Sequence, residues 1–278
     1  MLPANQQLRI SKVLLMSKIL FMGRKKVAAN CLRWIHALPG VEIVGVVTDS
    51  HLDCSVTAAL SADLGIPLLD YDSAMERASC LDIDLGISIL YWRKLKGSLL
   101  FLESKHGCIN FHPALLPQYK GCAGYNLAIL DRLSRWGSTC HYVDEGIDTG
   151  GILDVQQIPI DLDSETALSL EAKTLYVMEQ QFRRLIEVIL SSPGGRHPVS
   201  QNLGGRYVSR AQMEALKRVL PGEDPDIKSR AFWFPPYDGA WVQVNGQKVN
   251  IIPNCVLRSL GDPSSTSLFA EPSAEKVT

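Results

Sequence analysis

Three side chains, distant from one another along the chain, have the chemistry to manage charge and protons at a carbonyl. Asn110 and His112 belong to the stretch Gly107-Cys108-Ile109-Asn110-Phe111-His112-Pro113-Ala114-Leu115-Leu116-Pro117. Asp148 belongs to a second stretch, His141-Tyr142-Val143-Asp144-Glu145-Gly146-Ile147-Asp148-Thr149-Gly150. A carboxamide and an imidazolium that donate to one oxygen stabilise negative charge as it develops there. A carboxylate beside the imidazole favours its charged form and orients the ring. No serine or cysteine stands ready as a nucleophile with them, because Cys108 is expected on the opposite strand face from Asn110 or further down the strand. The residues therefore point to direct transfer onto an external nucleophile. An isolated Asn-x-His-Pro more often ties down a turn. The acidic, glycine-rich second stretch tips the reading toward chemistry.

Cys108, Ile109 and Phe111 suit a buried strand over residues 107–111, with Asn110 and His112, two apart, on one face of it. Pro113 lacks an amide hydrogen and holds His112 extended, so the strand stops and the chain leaves as a fixed loop. Gly146 and Gly150 keep backbone bulk low around Asp148, which lets that loop approach a ligand closely. Upstream, apolar and β-branched runs at 19–22, 41–48, 67–69 and 85–90 read as strands, and the spacing at 27–38 and 58–64 as helices. Strands at 136–143 and 151–160 follow. A helix then runs from Ser164 through Leu190, with Leu168, Leu175, Met178, Phe182, Leu185 and Ile189 on one stripe. This alternation implies an α/β fold, a Rossmann-like, mostly parallel sheet flanked by helices. The turn after the first strand holds only Gly23, so the GxGxxG dinucleotide fingerprint is absent, and Asp49 reads as a turn residue. Arg24, Lys25 and Lys26, at the start of the next helix, are either an anion site for a phosphate on the substrate or a solvated charged turn.

Of 278 residues, 46% are hydrophobic, enough for a sizeable core, and a net charge of −1 argues for neither nucleic acid nor membrane. The seven cysteines are scattered, with no CxxC pair, which fits reduced thiols in a cytoplasmic protein and offers no metal site. Val13 to Met16 is too short an apolar run for a signal peptide, so residues 1–16 read as an N-terminal extension. A main domain over 17–192 is followed by a linker at Pro193-Gly194-Gly195 and a small region over 193–253. That region holds a short helix at 211–219 and a β-hairpin turning at Asn245-Gly246. Phe232, Trp233, Phe234, Tyr237 and Trp241 form a mini-core there or a stacking platform, and an exposed aromatic hairpin would suit a homodimer contact. The Ser- and Pro-rich residues 254–278 are expected to be disordered.

The Asn110–Pro117 stretch, Tyr119-Lys120-Gly121, and the Asp144–Gly150 stretch together resemble the formyltransferases that use N10-formyltetrahydrofolate. The resemblance covers residues 17–190 and extends more loosely to 252. It implies the formyltransferase fold, formylfolate as co-substrate without a metal, and Asn110, His112 and Asp148 as the catalytic trio. Tyr91, Trp92, Arg93 and Leu95 occupy the segment that lines the pterin pocket in such enzymes. His141, Val143, Asp144 and Gly146 would border the folate, although His141 by itself reads as a packed strand histidine. Tyr125 and Asn126 fall in the region that shapes the acceptor side, and Lys25 would join them there.

By this resemblance a primary amine attacks the formyl carbon directly, through a tetrahedral intermediate. Asn110 and His112 would stabilise its oxyanion, while Asp148 holds His112 and relays the amine proton. The favoured acceptor is an amino sugar, nucleotide-linked and bound for a polysaccharide. Methionyl-tRNA is the alternative, but residues 200–278 carry nine Lys and Arg against eight Asp and Glu, little basic surface for phosphates. A hydroxyornithine-type siderophore precursor is another small amine to consider; glycinamide ribonucleotide would leave the residues beyond 200 unexplained. A folate-binding regulatory protein is the non-enzyme alternative, and the complete trio argues against it.

Overall fold

Alternation decides which way the central strands face. In β1 (Ser17–Gly23), Ile19 and Phe21 enter one apolar cluster while Leu20 and Met22 enter another. A strand buried on both faces needs a helical layer on each side. The computed structural model, which describes residues 16–101 and 103–260, contains both layers. After β1 come α1 (Lys25–His36), β2 (Val41–Val47), α2 (Val56–Asp63), β3 (Leu68–Leu69), α3 (Tyr71–Ala78), β4 (Leu85–Ile89) and β5 (Gly107–His112). Then follow β6 (Tyr119–Gly121), α4 (Gly124–Leu130), β7 (Arg135–Tyr142), β8 (Ile152–Pro159) and α5 (Ala167–Ser191). The chain continues through β9 (Arg206–Val208), α6 (Arg210–Ala215), α7 (Pro225–Ala231), β10 (Trp241–Val244), β11 (Gln247–Asn250) and α8 (Asn254–Ser259).

Seven strands form the main sheet in the order β3-β2-β1-β4-β5-β7-β8. Pairing is parallel from β3 to β5, and β5 meets β7 antiparallel, with Phe111 opposite Cys140. The chain winds outward from β1 to β3 and returns to β4 on the other side of β1. Crossovers of one hand then place helices on opposite faces. Val27, Leu32 and Ile35 of α1 and Leu60 of α2 fill one cluster; Tyr71, Ala74 and Ala78 of α3 fill the other. The apolar stripe of α5 joins the first cluster through Met178, Phe182, Leu185, Ile186 and Ile189. Phe182 is fully buried, its ring centroid 5.8 Å from that of Trp34 and 5.3 Å from that of Phe111. The α/β, Rossmann-like class and the C-terminal hairpin expected from the sequence are both present.

Some elements go beyond those expectations. α3 is capped by Asp70, whose carboxylate accepts the amides of Asp72 and Ser73, but with eight residues it has little periodicity to read. Residues 254–278 were expected to be disordered; Asn254–Ser259 is instead helical, and residues 261–278, like the extension at 1–15, lie outside the described residues. Among the described residues no helix is long and apolar enough to cross a membrane.

Two compact units are discontinuous in sequence. One comprises the chain through Gly121, Gly137–Ile158 and Lys173–Tyr207; the other comprises Cys122–Trp136, Pro159–Ala172 and the chain from Val208. Within the second, the Asn126 amide donates to the Ala231 carbonyl at 2.6 Å, tying α4 to α7. The Arg230 guanidinium donates to the Glu165 carbonyl. Asn245 and Gly246 both have positive φ, 49° and 82°, as a two-residue hairpin turn requires. Of the aromatic cluster, Phe232 is core and Tyr237 is 64% exposed.

Candidate active site

β5 alternates cleanly. Ile109 and Phe111 belong to the cluster under α1 and α5, and Cys108 to the cluster under α3. Cys108 therefore shares the face of Asn110 and lies two residues down the strand, the second of the two placements expected for it. It is buried, and burial pushes its thiol far above the ordinary value, so it stays a thiol.

At the end of β5 the antiparallel register sets His141 opposite Asn110. The Asn110 amide lies 3.1 Å from His141 Nε2, and His141 Nδ1 lies 2.7 Å from the Tyr142 carbonyl. A neutral His141 with its proton on Nδ1 satisfies both contacts, donating to the carbonyl and accepting from the amide. Asp148 Oδ1 faces two rings, 3.5 Å from His112 Nδ1 and 3.6 Å from His141 Nε2. Its Oδ2 accepts the Gly121 amide at 2.9 Å. His112 Nε2 in turn lies 3.0 Å from the Tyr119 carbonyl. His112 thus stands between two acceptors, and a proton added to it completes hydrogen bonds on both sides. His141, read from sequence as a packed strand histidine, is buried and also lies against the Asp148 carboxylate.

Burial opposes charge on His112 and holds its pKa below the ordinary histidine value, although Asp148 pulls upward. Burial alone would raise the Asp148 carboxyl. The adjacent His112 and His141 and the Gly121 amide outweigh it and hold the group well below the usual carboxylate range. Both shifts have the same consequence for stability. The unfolded chain takes up a proton at histidine near about pH 6.5 and at aspartate near about 3.9, in each case before the folded chain does. Stability is therefore full at neutral pH and declines as pH falls through each value. His106, lowered by burial, adds to the first decline. Urea midpoints measured from pH 7.5 to 5 should fall for the native chain and fall less for His112→Gln; identical slopes would contradict the assignment.

The loop owes its shape to contacts with itself. Asp148 has φ 55°, a left-handed conformation that aspartate tolerates better than most residues. A Cβ on Gly150 would lie 2.0 Å from the Tyr142 carbonyl oxygen, and one on Gly146 1.8 Å from Thr149 Oγ1. Gly150 lets the loop close on its own backbone and Gly146 lets it close on the Thr149 side chain, a different reason from the ligand approach expected of them. Asp144 Oδ1 accepts the Gly146 amide at 3.0 Å and the Thr149 hydroxyl at 2.5 Å, which makes Asp144 a staple of the turn.

Tyr91 and Val143 pack at the border of the cluster that holds Cys108, and Leu95 is buried inside it. Burial raises the Tyr91 hydroxyl to about 12. Trp92 is 43% exposed, its ring 4.8 Å from Tyr91 and 5.8 Å from His51, with the Arg24 guanidinium 5.6 Å away. The Arg93 guanidinium sits 4.0 Å over the Tyr71 ring. Lys25 is exposed at the start of α1, while Arg24 donates to the Leu90 carbonyl. Asp49 accepts the Ser55 and Thr48 hydroxyls, as a turn residue would. Tyr125 and Asn126 lie in the second unit; Asn126 is committed to Ala231, and the Tyr125 hydroxyl is buried without a hydrogen-bond partner.

Sequence reasoning missed Asn202. Its amide donates to the Asp148 carbonyl at 3.0 Å and to the Gly150 carbonyl at 2.8 Å. It falls in a stretch whose composition reads as a linker, and no local pattern marks it.

Residues 36–187 match the family model described as formyl transferase. The methionyl-tRNA formyltransferase of Alkaliphilus oremlandii is 30% identical over 277 aligned residues, 88% of this chain and 88% of that protein. The GDP-perosamine N-formyltransferase of Brucella melitensis is 28% identical over 262, covering 89% and 98%. The N-formyltransferase of Helicobacter canadensis, solved with folinic acid and dTDP-3-aminofucose, shares the fold with a TM-score of 0.67 at 24% identity, over 84% of this chain and 86% of that one.

Proposed function

Because the chain belongs to the formyl transferase family, we propose that it moves a formyl group from N10-formyltetrahydrofolate to the primary amine of a nucleotide-linked amino sugar. The observation that carries this reading is the meeting of His112, His141 and Asp148 around one carboxylate oxygen, with Asn110 alongside. A carboxamide, an imidazole and an acid suit a carbonyl. The folate supplies an activated formyl carbonyl. Half-buried Tyr91 and Val143, on the face that carries Asn110 and His112, with Trp92 beside them, fit a flat heterocycle.

One amide hydrogen of Asn110 is directed at His141, which leaves the second to stabilise charge developing on the formyl oxygen. As the amine nitrogen bonds to the formyl carbon, Asp148 accepts its proton and passes it to His112 Nδ1. His112, kept neutral at rest by burial and donating from Nε2 to the Tyr119 carbonyl, pairs with the Asp148 carboxylate through Nδ1 when that proton arrives. When the tetrahedral intermediate collapses, the formyl–N10 bond breaks and this proton is returned to N10, so that tetrahydrofolate leaves. The site is thereby arranged for the charge distribution of the transfer step. Reduced thiols and a folate co-substrate fit a cytoplasmic setting.

Similarity to GDP-perosamine N-formyltransferase over 98% of its length favours an amino sugar, and so does a charge balance without basic excess. The 30% identity to a methionyl-tRNA formyltransferase favours the second reading, aminoacyl-tRNA as acceptor. Incubation with formylfolate and a panel of GDP- and dTDP-linked amino sugars, beside charged initiator tRNA, separates the two. Turnover of a sugar nucleotide is the expected result; a higher kcat/KM on tRNA would replace the first reading with the second.

A further inference from the structure

We propose that Asn202 is a positioning residue for Asp148, acting through the backbone that follows the acid. The proposal rests on the reading of Asp148 as the proton-relaying group. Both hydrogens of the Asn202 amide are used, one on the Asp148 carbonyl and one on the Gly150 carbonyl, 54 and 52 residues away in sequence. Two donors on alternate carbonyls fix the peptide planes that follow Asp148 and so hold its left-handed φ of 55°. Asn202 is buried, and its own Oδ1 is buried without a hydrogen-bond partner. A buried acceptor left unpaired is costly, so the site retains the amide for its donors.

The segment that carries Asn202 is itself anchored close to the loop. Ser200 exchanges backbone hydrogen bonds with Ile152 at 2.8 and 3.0 Å, and the His197 amide donates to the Tyr142 hydroxyl at 2.9 Å. Beyond Asn202, a Cβ on Gly205 would meet the Pro117 carbonyl at 1.6 Å. The Arg206 amide donates to the Gln118 carbonyl as β9 pairs with β6, the strand whose Gly121 amide holds the Asp148 carboxylate. One strap thus constrains the acid twice, by its backbone through Asn202 and by its carboxylate through β6. A shift of the carboxylate by 1 Å is enough to cost a reaction about 100-fold.

The test is a double-mutant cycle of Asn202→Ala and Asp148→Asn, reading kcat, KM for both substrates and Tm. Asn202→Ala should lower kcat about 10- to 100-fold with KM nearly unchanged. In the Asp148→Asn background the same change should cost less than about twofold, because the group it positions is already gone. An undiminished kcat for Asn202→Ala, a loss expressed in KM, or an equal fold-loss in both backgrounds would overturn the proposal. Should the alanine variant fail to fold, Asn202→Ser, which keeps one donor, replaces it in the same cycle. A native kcat for Asp148→Asn alone would instead overturn the reading of Asp148, a separate outcome.

Discussion

Asp148→Asn should lower formyl transfer by about 10²- to 10⁴-fold while the protein remains folded. Asparagine is the informative substitution because it also tolerates the left-handed φ of 55°, where alanine would add strain. Its side-chain oxygen can still accept the Gly121 amide that now binds Oδ2. What disappears is the negative charge facing His112 and His141 at 3.5 and 3.6 Å and the capacity to take a proton. His112 loses the group that favours its charged form, so burial is opposed by the Tyr119 carbonyl alone. The check is kcat at saturating formylfolate and acceptor, with near-ultraviolet circular dichroism reporting the fold. A kcat within a few-fold of the native value would remove the acid from the reaction.

Phe182→Ala should destabilise the larger unit by about 3–5 kcal/mol, as deletion of a buried aromatic ring does in other cores. The side chain is fully buried and joins Trp34 of α1 to Phe111 of β5 through α5. The loss is a large fraction of the about 5–15 kcal/mol that holds a domain together. Urea denaturation should show a lower midpoint with an unchanged slope. Phe111 directly precedes His112, so the variant should also lose activity at temperatures where it is still folded, through a loosened strand end. A midpoint shift below about 1 kcal/mol would mean that the neighbouring side chains close over the cavity.

Much of this protein was readable one segment at a time. The runs at Ile19–Met22, Val41–Thr48 and Gly107–Phe111 became β1, β2 and β5, because buried parallel strands are continuous apolar stretches and declare themselves locally. The stripe of α5 and the Asn245-Gly246 turn did the same, the first through its length and the second through its backbone requirement. The Asn110, His112 and Asp148 stretches also stood out, since polar residues at a strand end and an acid between glycines break the surrounding pattern.

Convergence was decided elsewhere. Only the antiparallel register of β5 on β7 brings His141 beside Asn110, and only the closed loop turns Asp148 toward both rings. The segment from Ser192 to Gly205 looks like a linker because its composition is that of a linker. It is held by hydrogen bonds to residues about fifty positions away, such as those of Asn202, and no window of sequence contains both partners. Leu95 and Asn126 show the converse: their types allow ligand contact, yet packing commits one to the core and the other to α7. Local sequence specifies elements because propensity and burial pattern act over a few residues. Sites form from partners distant in sequence, and their geometry exists only once the chain has folded.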